Sequence, residues 1–359
     1  MPDNQLTLAV AGARKTQGIV DACVAAPPQE RILVLTYTTA NQDELRRRIA
    51  SQVGLRPAIE VMGWFTFLIR HFVKPALPFV YSGVRVTGFD FDSMPQQYTS
   101  NEAYERYFNS EAQVRRVHLA QLATRISDAS QNAAVACLSR IYDTIYIDET
   151  QDLCGYDLEI LLRLMKAPIA LHMVGDVRQA VLLTNEREKK HKRYQYMKIW
   201  GWFREQQKKG QLHIEQRAET WRCRQEIASF ADSLFDASWA FTPTTSVNTT
   251  CTDHDGLFLV HETDVPAYLE QFDPLLLRQS ANSAKNMPYN FMNFRVSKGL
   301  SRPRVMIWPT SNICKFLQSS TRLEERAAAE FYVAVTRAEQ SVAIVLNTPG
   351  ESPIPYWRP

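Results

Sequence analysis

The sequence predicts an α/β protein with two domains, each built on a parallel sheet. The first observation is that short apolar runs, typical of buried strands, alternate with helix-like segments. The second is that polar motifs directly follow several of these runs. Ligands of parallel α/β sheets bind at the carboxyl ends of the strands, so these motifs mark the candidate site. The strand candidates are residues 6–10, 31–37, 141–147 and 169–174, and then 256–261, 275–277, 305–308 and 342–346.

Composition is ordinary for a globular protein. The chain has 359 residues, enough for two or three domains, with 45% hydrophobic and 22% charged residues. A net charge of +3 does not by itself indicate a nucleic-acid partner. No apolar run approaches the 18 residues of a membrane span, and the first residues lack the pattern of a signal peptide. We therefore expect a cytoplasmic protein without a membrane partner. The six cysteines are scattered, without the spacing of a zinc ribbon or an iron–sulfur site.

The pattern along the chain divides it into domains. Residues 73–139 interrupt the first sheet pattern: they are rich in proline and aromatic residues and then helical from about residue 101. We interpret them as a small, mainly helical insertion. The prediction is a first domain of residues 1–72 and 140–211, the insertion 73–139, a second domain 212–346 and an irregular tail 347–359.

The most informative motif is an acid pair after an apolar run, IYIDETQD at residues 145–152. Asp148 could hold Mg²⁺, which gives up its waters reluctantly and prefers carboxylate oxygens. Glu149 could polarise an attacking water. The alternative is a surface turn with exposed acids.

Two further motifs are weaker when taken alone. Residues 173–179, MVGDVRQ, end a strand in a glycine turn, and Gln179 could sense a γ-phosphate; an ordinary turn is the alternative. Residues 11–18, AGARKTQG, offer small residues and then Lys15 and Thr16 before a helix, as a phosphate cradle needs. The loop is too short for the pattern G-x-x-x-x-G-K-[ST].

Taken in order, the motifs resemble the boxes of UvrD/Rep-like superfamily 1 helicases. The acid box matches D-E-x-Q-D, and residues 174–179 match V-G-D-x-x-Q. The last box, FYVAVTRA, is similar to Y-V-[AG]-[VI]-T-R-A. The full set of similar segments is residues 32–49, 61–70, 148–152, 174–179, 220–231, 293–300 and 331–338.

The resemblance implies two RecA-like parallel-sheet domains, with the insertion in the first, and an ATPase that uses ATP and Mg²⁺. Lys15 would bind the β- and γ-phosphates, within a loop that includes Gly12, Ala13 and Arg14. Thr16 and Asp148 would hold the metal, and Glu149 would activate water. Gln179, Arg222 and Arg337 would sense and stabilise the γ-phosphate, with Arg337 acting from the second domain.

The chain departs from the family pattern in three places. The phosphate loop lacks Gly-Ser-Gly, so a two-residue gap is needed to align Lys15 and Thr16; without the gap, Gln17 takes the lysine's place. The upstream glutamine that reads adenine has only Gln5 as a weak substitute. Only residues 280–292 separate the LLLRQ strand from NFRVSKGL, where the family inserts a large subdomain.

Single-stranded DNA is the expected partner, with RNA left open. Cations along the phosphates and aromatic faces for bases are what such binding needs. The candidate contacts are Tyr37, Thr38, Trp64, Phe65, Arg295 and Lys298. The charged, aromatic stretch 189–209 is either a surface helix that buries its aromatics or a strand-binding segment.

Two functions follow from these patterns. The first is a helicase or translocase driven by ATP hydrolysis. The second is a helicase-like DNA- or nucleotide-binding subunit of a larger complex with weak or no turnover, favoured by the short loop. By analogy with helicase-like subunits of anti-phage systems, its protein partner would be a nuclease.

Overall fold

The computed structural model describes residues 4–285 and 287–359. The first three residues of the predicted first domain and position 286 lie outside the described residues. The chain forms two compact units. The first comprises Met1–Thr7, Lys15–Gly175 and Leu183–Glu215, and the second comprises Leu8–Arg14, Asp176–Leu182 and Gln216–Pro359. Two short segments from the first part of the chain are thus grouped with the second unit, and the predicted domain boundaries stay predictions.

The helices and strands up to residue 217 alternate as the apolar runs indicate, with further short elements between residues 64 and 141. In chain order they are β1 Asn4–Ala9, α1 Lys15–Ala25, β2 Ile32–Thr36, α2 Thr39–Val53, β3 Ile59–Gly63, α3 Trp64–Phe67, a π-helical segment Leu68–Val73, α4 Lys74–Ala76, β4 Gly88–Asp90, α5 Tyr104–Tyr107, β5 Gln113–Arg115, α6 Leu119–Ala129, α7 Ala133–Ile141, β6 Thr144–Ile147, α8 Tyr156–Met165, β7 Ala170–Gly175, α9 Ile199–Lys208 and β8 His213–Arg217.

The first sheet has six strands in the order β3-β2-β6-β7-β1-β8. The pairs β2–β3, β2–β6 and β6–β7 are parallel. Residues Ile32–Thr36 are all buried, which fits a strand covered on both faces. Helices α1 and α2 pack on it through Ile19, Val20 and Leu45.

The register of the first sheet decides where its polar motifs lie. Thr36 at the end of β2 pairs with Gly63 at the end of β3, and Leu35 pairs with Ile147 at the end of β6. The residues that follow these three strands therefore leave the sheet at the same edge.

The insertion is mainly helical, as predicted, but it also contains a two-stranded parallel pair. Phe89 of β4 lies opposite Val114 of β5, and Asp90 lies opposite Arg115. These strands were not predicted, because three residues give too little periodicity to detect.

The second half of the chain folds around a five-stranded parallel sheet in the order β11-β15-β14-β12-β13. Helices α10, α12 and α13 contribute Ile227, Ile313 and Phe331 to its core. Its elements are β9 Glu219–Thr220, α10 Gln225–Ser233, β10 Thr245–Ser246, β11 Gly256–Val260, α11 Val265–Phe272, β12 Leu275–Arg278, β13 Met292–Asn293, β14 Arg302–Trp308, α12 Ser311–Ser319, α13 Glu325–Val335 and β15 Ala338–Val345.

The predicted fold class is confirmed: the chain is an α/β protein with two parallel sheets and a small, mainly helical insertion in the first part. Its C-terminal segment buries Ile354 and Trp357, and Tyr356 forms an isolated bridge with Leu259. Among the described helices, none is long and apolar enough to cross a membrane.

Candidate functional site

The acid pair lies directly after β6, in the first unit. Asp148 is 3% exposed, and its main-chain N–H donates to the Leu35 carbonyl at 2.8 Å. Its carboxylate accepts hydrogen bonds from the Thr16 hydroxyl at 3.3 Å and from the Glu149 main-chain N–H at 2.9 Å. The structure therefore brings together Thr16 and Asp148, the two predicted magnesium ligands, and it excludes an exposed surface turn for Asp148.

The two oxygens are spaced as neighbouring ligands of one Mg²⁺ would be. Oxygen ligands at about 2.1 Å from an octahedral Mg²⁺ lie about 3.0 Å from their neighbours. Thr16 Oγ1 and Asp148 Oδ2 are 3.3 Å apart. Within residues 4–285 and 287–359, no three His, Cys, Asp or Glu side chains are grouped as a metal cluster. Mg²⁺ is usually held by one or two carboxylates together with substrate phosphates, so this pair fits Mg²⁺ bound beside a nucleotide.

Charge around Asp148 supports Lys15 as the phosphate lysine. Burial raises the pKa of Asp148 above its usual range and the neighbouring Glu149 carboxylate adds to the rise, whereas the Lys15 ammonium lowers it. Lys15 is the first residue of α1, and its charge acts on Asp148. Gln17 instead donates to Asp21 along α1 at 2.7 Å. These contacts favour the gapped alignment of the loop.

Glu149 has a left-handed backbone with φ of 56°. Such a conformation is uncommon for residues other than glycine, and it is often found at functional sites. The Gln151 amide donates a hydrogen bond to the Glu149 carboxylate. Backbone and amide together fix the direction of this carboxylate next to Asp148.

The short loop before α1 is held by residues of the second unit, with which it is grouped. The Thr220 hydroxyl donates to the Ala11 carbonyl at 2.7 Å, and the Trp221 N–H donates to the Gly12 carbonyl at 3.0 Å. The Ala11 N–H donates to the Tyr332 hydroxyl at 3.1 Å. The loop conformation therefore depends on side chains more than 200 residues away in sequence.

Glycine is required at position 12 for two reasons. Its φ is 77°, and a Cβ atom there would lie 2.6 Å from both Arg222 Cβ and Thr220 Oγ1. Ala13 closes the turn with its N–H on the Val10 carbonyl at 3.2 Å. The loop before α1 thus makes a tight turn that only glycine fits at position 12.

Arg14 also has a left-handed backbone, with φ of 55°. Its guanidinium carbon lies 3.8 Å from the ring centroid of Trp221, a cation–π contact. The positive charge of Arg14 is thus held beside the loop by Trp221.

A buried network in the second unit connects the G-D-x-x-Q box with the last box. The Gln179 amide donates to Asp176 Oδ2 at 2.8 Å, and the Tyr332 hydroxyl donates to the same oxygen at 3.3 Å. Arg337 donates to Gln179 Oε1 at 3.2 Å and to the main-chain carbonyls of Val333 at 2.9 Å and Leu300 at 3.1 Å. The structure therefore brings together Gln179 and Arg337, two predicted catalytic residues.

Arg337 is 1% exposed. Its neighbour Thr336 also accepts a hydrogen bond from Arg222, whose guanidinium donates to the Thr336 carbonyl at 3.0 Å. Burial lowers the pKa of Arg222, with smaller opposing effects from Cys223 and other groups. Both predicted arginines thus meet at the end of α13, held by main-chain oxygens.

Gln5, the candidate adenine reader, lies near the start of β1. It is the second residue of β1, four residues before Ala9 at the strand's end. At a rise of about 3.3 Å per residue, that separation is about 13 Å. The assignment of Gln5 to adenine stays a prediction.

The predicted nucleic-acid residues of the first unit have different surroundings. Trp64 is 1% exposed and donates its indole N–H to Asp157 at 2.7 Å, so it is a core residue and its assignment as a surface contact is wrong. Thr38 caps α2 by accepting from the Asn41 N–H at 3.2 Å. Tyr37 and Phe65 are half-buried and lie 5.7 Å apart between ring centroids.

Arg295 and Lys298, predicted to contact nucleic acid from the second unit, are half-buried. Arg295 forms an ion pair with Glu330 at 2.8 Å. In the stretch 189–209 of the first unit, the aromatics Tyr194, Trp200, Trp202 and Phe203 are buried. The structure confirms the first interpretation of that stretch for its aromatic residues.

The contacts of Thr220, Trp221 and Tyr332 with the loop before α1 were not predicted. Thr220 and Trp221 precede Arg222 in the box at 220–231, and Tyr332 lies in FYVAVTRA, so their positions were visible. Their contacts were not, since a sequence does not show which backbone groups a distant side chain will bind. Gln151, which holds Glu149, could have been found from its place in D-E-x-Q-D.

Residues 86–182 match the model of the UvrD/REP helicase N-terminal domain. This segment includes β4 to β7, the acid pair and Gln179. The resemblance to UvrD/Rep-like superfamily 1 helicases is thereby confirmed, and the match directly covers the boxes at 148–152 and 174–179. No curated protein matches the sequence.

Two solved structures of arterivirus nonstructural protein 10, a helicase, are similar to this chain. The complex with DNA shows 12% identity, covers 96% of this chain and 61% of the arterivirus chain, and has a TM-score of 0.47. The second structure shows 13% identity, with 96% and 59% covered and a TM-score of 0.47. The chain thus spans about three-fifths of the length of these proteins.

We predict that Gly12→Ala lowers the free energy of unfolding by more than the left-handed backbone at position 12 would cause alone. The added Cβ meets Thr220 and Arg222 at 2.6 Å, and overpacking of this kind costs about 1–3 kcal/mol. Gly83→Ala is the matched control, because Gly83 has φ of 76° and a Cβ there meets no atom within 4 Å. Urea unfolding of both variants measures the difference. Equal midpoints would contradict the close approach at Gly12.

Proposed function

We propose that this chain is a helicase-type ATPase that couples ATP hydrolysis to movement on, or remodelling of, single-stranded DNA. The observation that carries the proposal is the pairing of the Thr16 hydroxyl with the buried Asp148 carboxylate at 3.3 Å, beside Lys15. Phosphoryl transfer needs a metal ligand set, a lysine and a base held close together, and these residues supply them. The match of residues 86–182 to a helicase N-terminal domain supports the same class of enzyme.

Each of the candidate residues in the first unit has a separate proposed role in ATP hydrolysis. Lys15 binds the β- and γ-phosphates, and the N-terminus of α1 favours their negative charge. Thr16 and Asp148 hold Mg²⁺, which neutralises charge on the phosphate oxygens when bound. Glu149, with its carboxylate directed by Gln151, accepts the proton of the attacking water.

The residues of the second unit act on charge that develops during transfer. Gln179 senses the γ-phosphate, and Arg222 and Arg337 stabilise it. Guanidinium groups bind phosphate oxygens through two parallel hydrogen bonds, which suits this role.

Tyr37 and Phe65 are the proposed base contacts, and Arg295 and Lys298 the proposed phosphate contacts. Trp64 is left out because its ring is buried. Stacking on aromatic rings does not depend on sequence, as a motor that travels along a strand requires.

One observation favours a second function. The Ala11 N–H, part of the short phosphate loop, already donates to the Tyr332 hydroxyl at 3.1 Å. A loop with fewer amides for phosphate suits a helicase-like DNA- or nucleotide-binding subunit with weak or no turnover, paired with a protein such as a nuclease.

ATP hydrolysis by the purified chain, measured with and without single-stranded DNA, distinguishes the two functions. Hydrolysis that the DNA stimulates supports the motor. Nucleotide and DNA binding without turnover supports the subunit.

Lys15, and not Gln17, is predicted to be the phosphate lysine. The Lys15 charge acts on Asp148, whereas Gln17 is bonded to Asp21 on α1. Lys15→Ala should lose most of its affinity for ATP, and Gln17→Ala should keep it, as measured by titration with a fluorescent ATP analogue. Unchanged ATP affinity in Lys15→Ala, together with lost ATP affinity in Gln17→Ala, would overturn the gapped alignment.

Glu149→Gln is predicted to bind ATP but to hydrolyse it about a hundredfold more slowly or worse, the loss expected for a positioned general base. Glu270→Gln, an exposed position on α11, is the control and should be unchanged. Single-turnover hydrolysis with bound ATP measures the step directly. Unchanged turnover in Glu149→Gln would remove the assignment of Glu149 as base.

Arg337→Ala is predicted to keep its affinity for ATP. Its rate of DNA-stimulated hydrolysis should fall roughly a thousandfold, the contribution of an arginine finger. The side chain also bonds the Val333 and Leu300 carbonyls, so the unfolding midpoint of each variant must be measured. The Arg337→Lys variant keeps the positive charge but cannot form the two parallel hydrogen bonds of a guanidinium. A folded Arg337→Ala that hydrolyses ATP normally would contradict the role.

A further inference from the structure

A pocket opens in the first unit at the edge of the sheet where its strands begin. Arg31 directly precedes β2, Ala58 directly precedes β3, and Tyr142 lies two residues before β6. The Ile32 N–H donates to the Ala58 carbonyl at 2.7 Å, and the Asp143 N–H donates to the Arg31 carbonyl at 2.9 Å, so the three strand starts lie side by side. The acid pair follows the opposite end of β6. The pocket is therefore distinct from the place where the acid pair lies.

The pocket has the size and lining of a small-molecule site. Its volume is about 510 Å³, and ligand sites in proteins usually measure about 300–1,000 Å³. Its polar lining consists of Arg31, Glu60, Arg70, His71 and Tyr142, and the other lining residues are mostly apolar. We call this cavity the basal pocket. A mainly apolar cavity with a few polar groups that converge on it is what binding of a small organic molecule requires.

Two of the polar lining residues come from the π-helical segment Leu68–Val73. Such segments are rare, and they are frequently found at functional sites. The segment brings two residues that are adjacent in sequence, Arg70 and His71, to the same cavity. Arg70 is exposed and His71 is buried. The departure from a regular α-helix thus coincides with the residues that line the basal pocket.

One face of α7 forms an apolar wall of the pocket. Ala134, Cys137 and Ile141 line the cavity, and their spacing of three and then four residues places them on the same side of the helix. Ile141 is 45% exposed, and Cys137 is also exposed. Pro57 and Pro75 add further apolar surface. Because these groups are open to water, a ligand with an apolar body gains stability by covering them.

The hydrogen bonds inside the pocket leave donors for an anion. Glu60 accepts from Arg70 through Oε1 and from the Tyr142 hydroxyl through Oε2 at 2.5 Å, so both of its oxygens are used. Within residues 4–285 and 287–359, the Arg70 side chain makes no other hydrogen bond than the one from Nη1 to Glu60. A guanidinium carries five N–H donors. Arg70 can therefore bind an anion while it stays paired with Glu60, whereas an incoming cation meets a carboxylate that is already bonded.

The other ionisable groups of the pocket do not change this preference. Arg31 is bonded to Asp143 through Nε at 3.0 Å and through Nη2 at 2.6 Å, so its charge is largely balanced. Burial lowers the pKa of His71, and the charge of Arg70 adds to the lowering, so the imidazole is neutral near pH 7. Arg70 is thus the group of the pocket that is best able to hold an anion.

We propose that the basal pocket binds a small organic anion with an apolar body, its anionic group on Arg70 and its body against Ile141. The occupant follows from the lining. An inorganic anion would leave the apolar wall open to water, and a neutral apolar molecule would leave the donors of Arg70 without a partner. This binding site goes beyond the proposed ATPase and does not depend on it, because none of its lining residues has a role in the proposed ATP chemistry.

Cys137 lines the pocket and can report whether it is occupied. The probe is 2-naphthoate, which joins a carboxylate to a flat apolar body. It should slow the alkylation of Cys137 by iodoacetamide about tenfold when it is present at ten times its Kd, because only the free pocket exposes the thiol. Mass spectrometry follows the alkylation of each cysteine. Cys251, an exposed thiol of the second unit, is the internal control and should react at an unchanged rate.

Two variants test the two proposed contacts through the concentration of 2-naphthoate that gives half of the full protection. Arg70→Gln should raise it about tenfold, the effect of losing a hydrogen bond between charged groups. Arg47→Gln is the matched control, since Arg47 is also exposed and paired with a glutamate but does not line the pocket. Ile141→Ser should raise it about fivefold through lost apolar contact. Leu55→Ser, at a position 97% exposed and outside the pocket, should leave it unchanged.

Two further compounds test the two halves of the ligand separately. 2-Naphthamide has the same body without the charge, and inorganic sulfate has the charge without the body. Neither should protect Cys137 at the concentration at which 2-naphthoate does. Equal protection by either compound would overturn the proposed ligand class.

The binding site itself is overturned if 2-naphthoate leaves the alkylation of Cys137 unchanged, if it slows Cys251 equally, or if Arg70→Gln keeps full protection. Protection confined to Cys137, and weakened in both Arg70→Gln and Ile141→Ser, supports it. The alkylation assay contains neither ATP nor DNA, so its result is independent of whether the chain hydrolyses ATP.

Discussion

The burial of the Asp148 carboxylate at the end of β6 is the constraint on which the arrangement of the first unit depends. A carboxylate removed from water is unfavourable unless hydrogen bonds and opposite charge replace the solvent. The Thr16 hydroxyl and the Glu149 N–H provide the bonds, and Lys15 provides the charge. Because these do not fully offset burial, the pKa of Asp148 remains raised, and a site of this kind gains stability from a bound cation.

The register of the first sheet explains how these residues meet. Ile147 pairs with Leu35, so β6 ends beside β2, and the Asp148 N–H continues the ladder onto the Leu35 carbonyl. A carboxylate on such a backbone has little freedom. The short loop before α1 lacks this kind of internal support and is held instead by Thr220, Trp221 and Tyr332. A cradle that is shorter than usual thus keeps its shape through side chains supplied from elsewhere in the chain.

Much of the fold could be predicted because buried strands leave long apolar runs, such as residues 31–37, and because parallel strands direct the following residues to one edge. That rule correctly predicted that Thr16 and Asp148 lie close together. Motif position misplaced Trp64, since a position within a motif does not tell whether a ring is buried. The Trp64 ring is buried, and its indole N–H donates a hydrogen bond to Asp157. Burial raises the pKa of Asp157 to about 6 despite that hydrogen bond.

Arg337 shows why a residue's role depends on what its donors already bind. A guanidinium has five N–H groups, and in this structure those of Arg337 bond to the Val333 and Leu300 carbonyls and to Gln179. Bonds from a guanidinium to phosphate are charge-assisted on both sides and stronger than bonds to neutral carbonyls, so a γ-phosphate can compete for it. Releasing Gln179 from Arg337 would free its amide oxygen while its amide nitrogen stays on Asp176. If Gln179 and Arg337 have the roles proposed above, the sensing of the γ-phosphate and its stabilisation would be coupled, because the two side chains share one hydrogen bond that both would have to exchange.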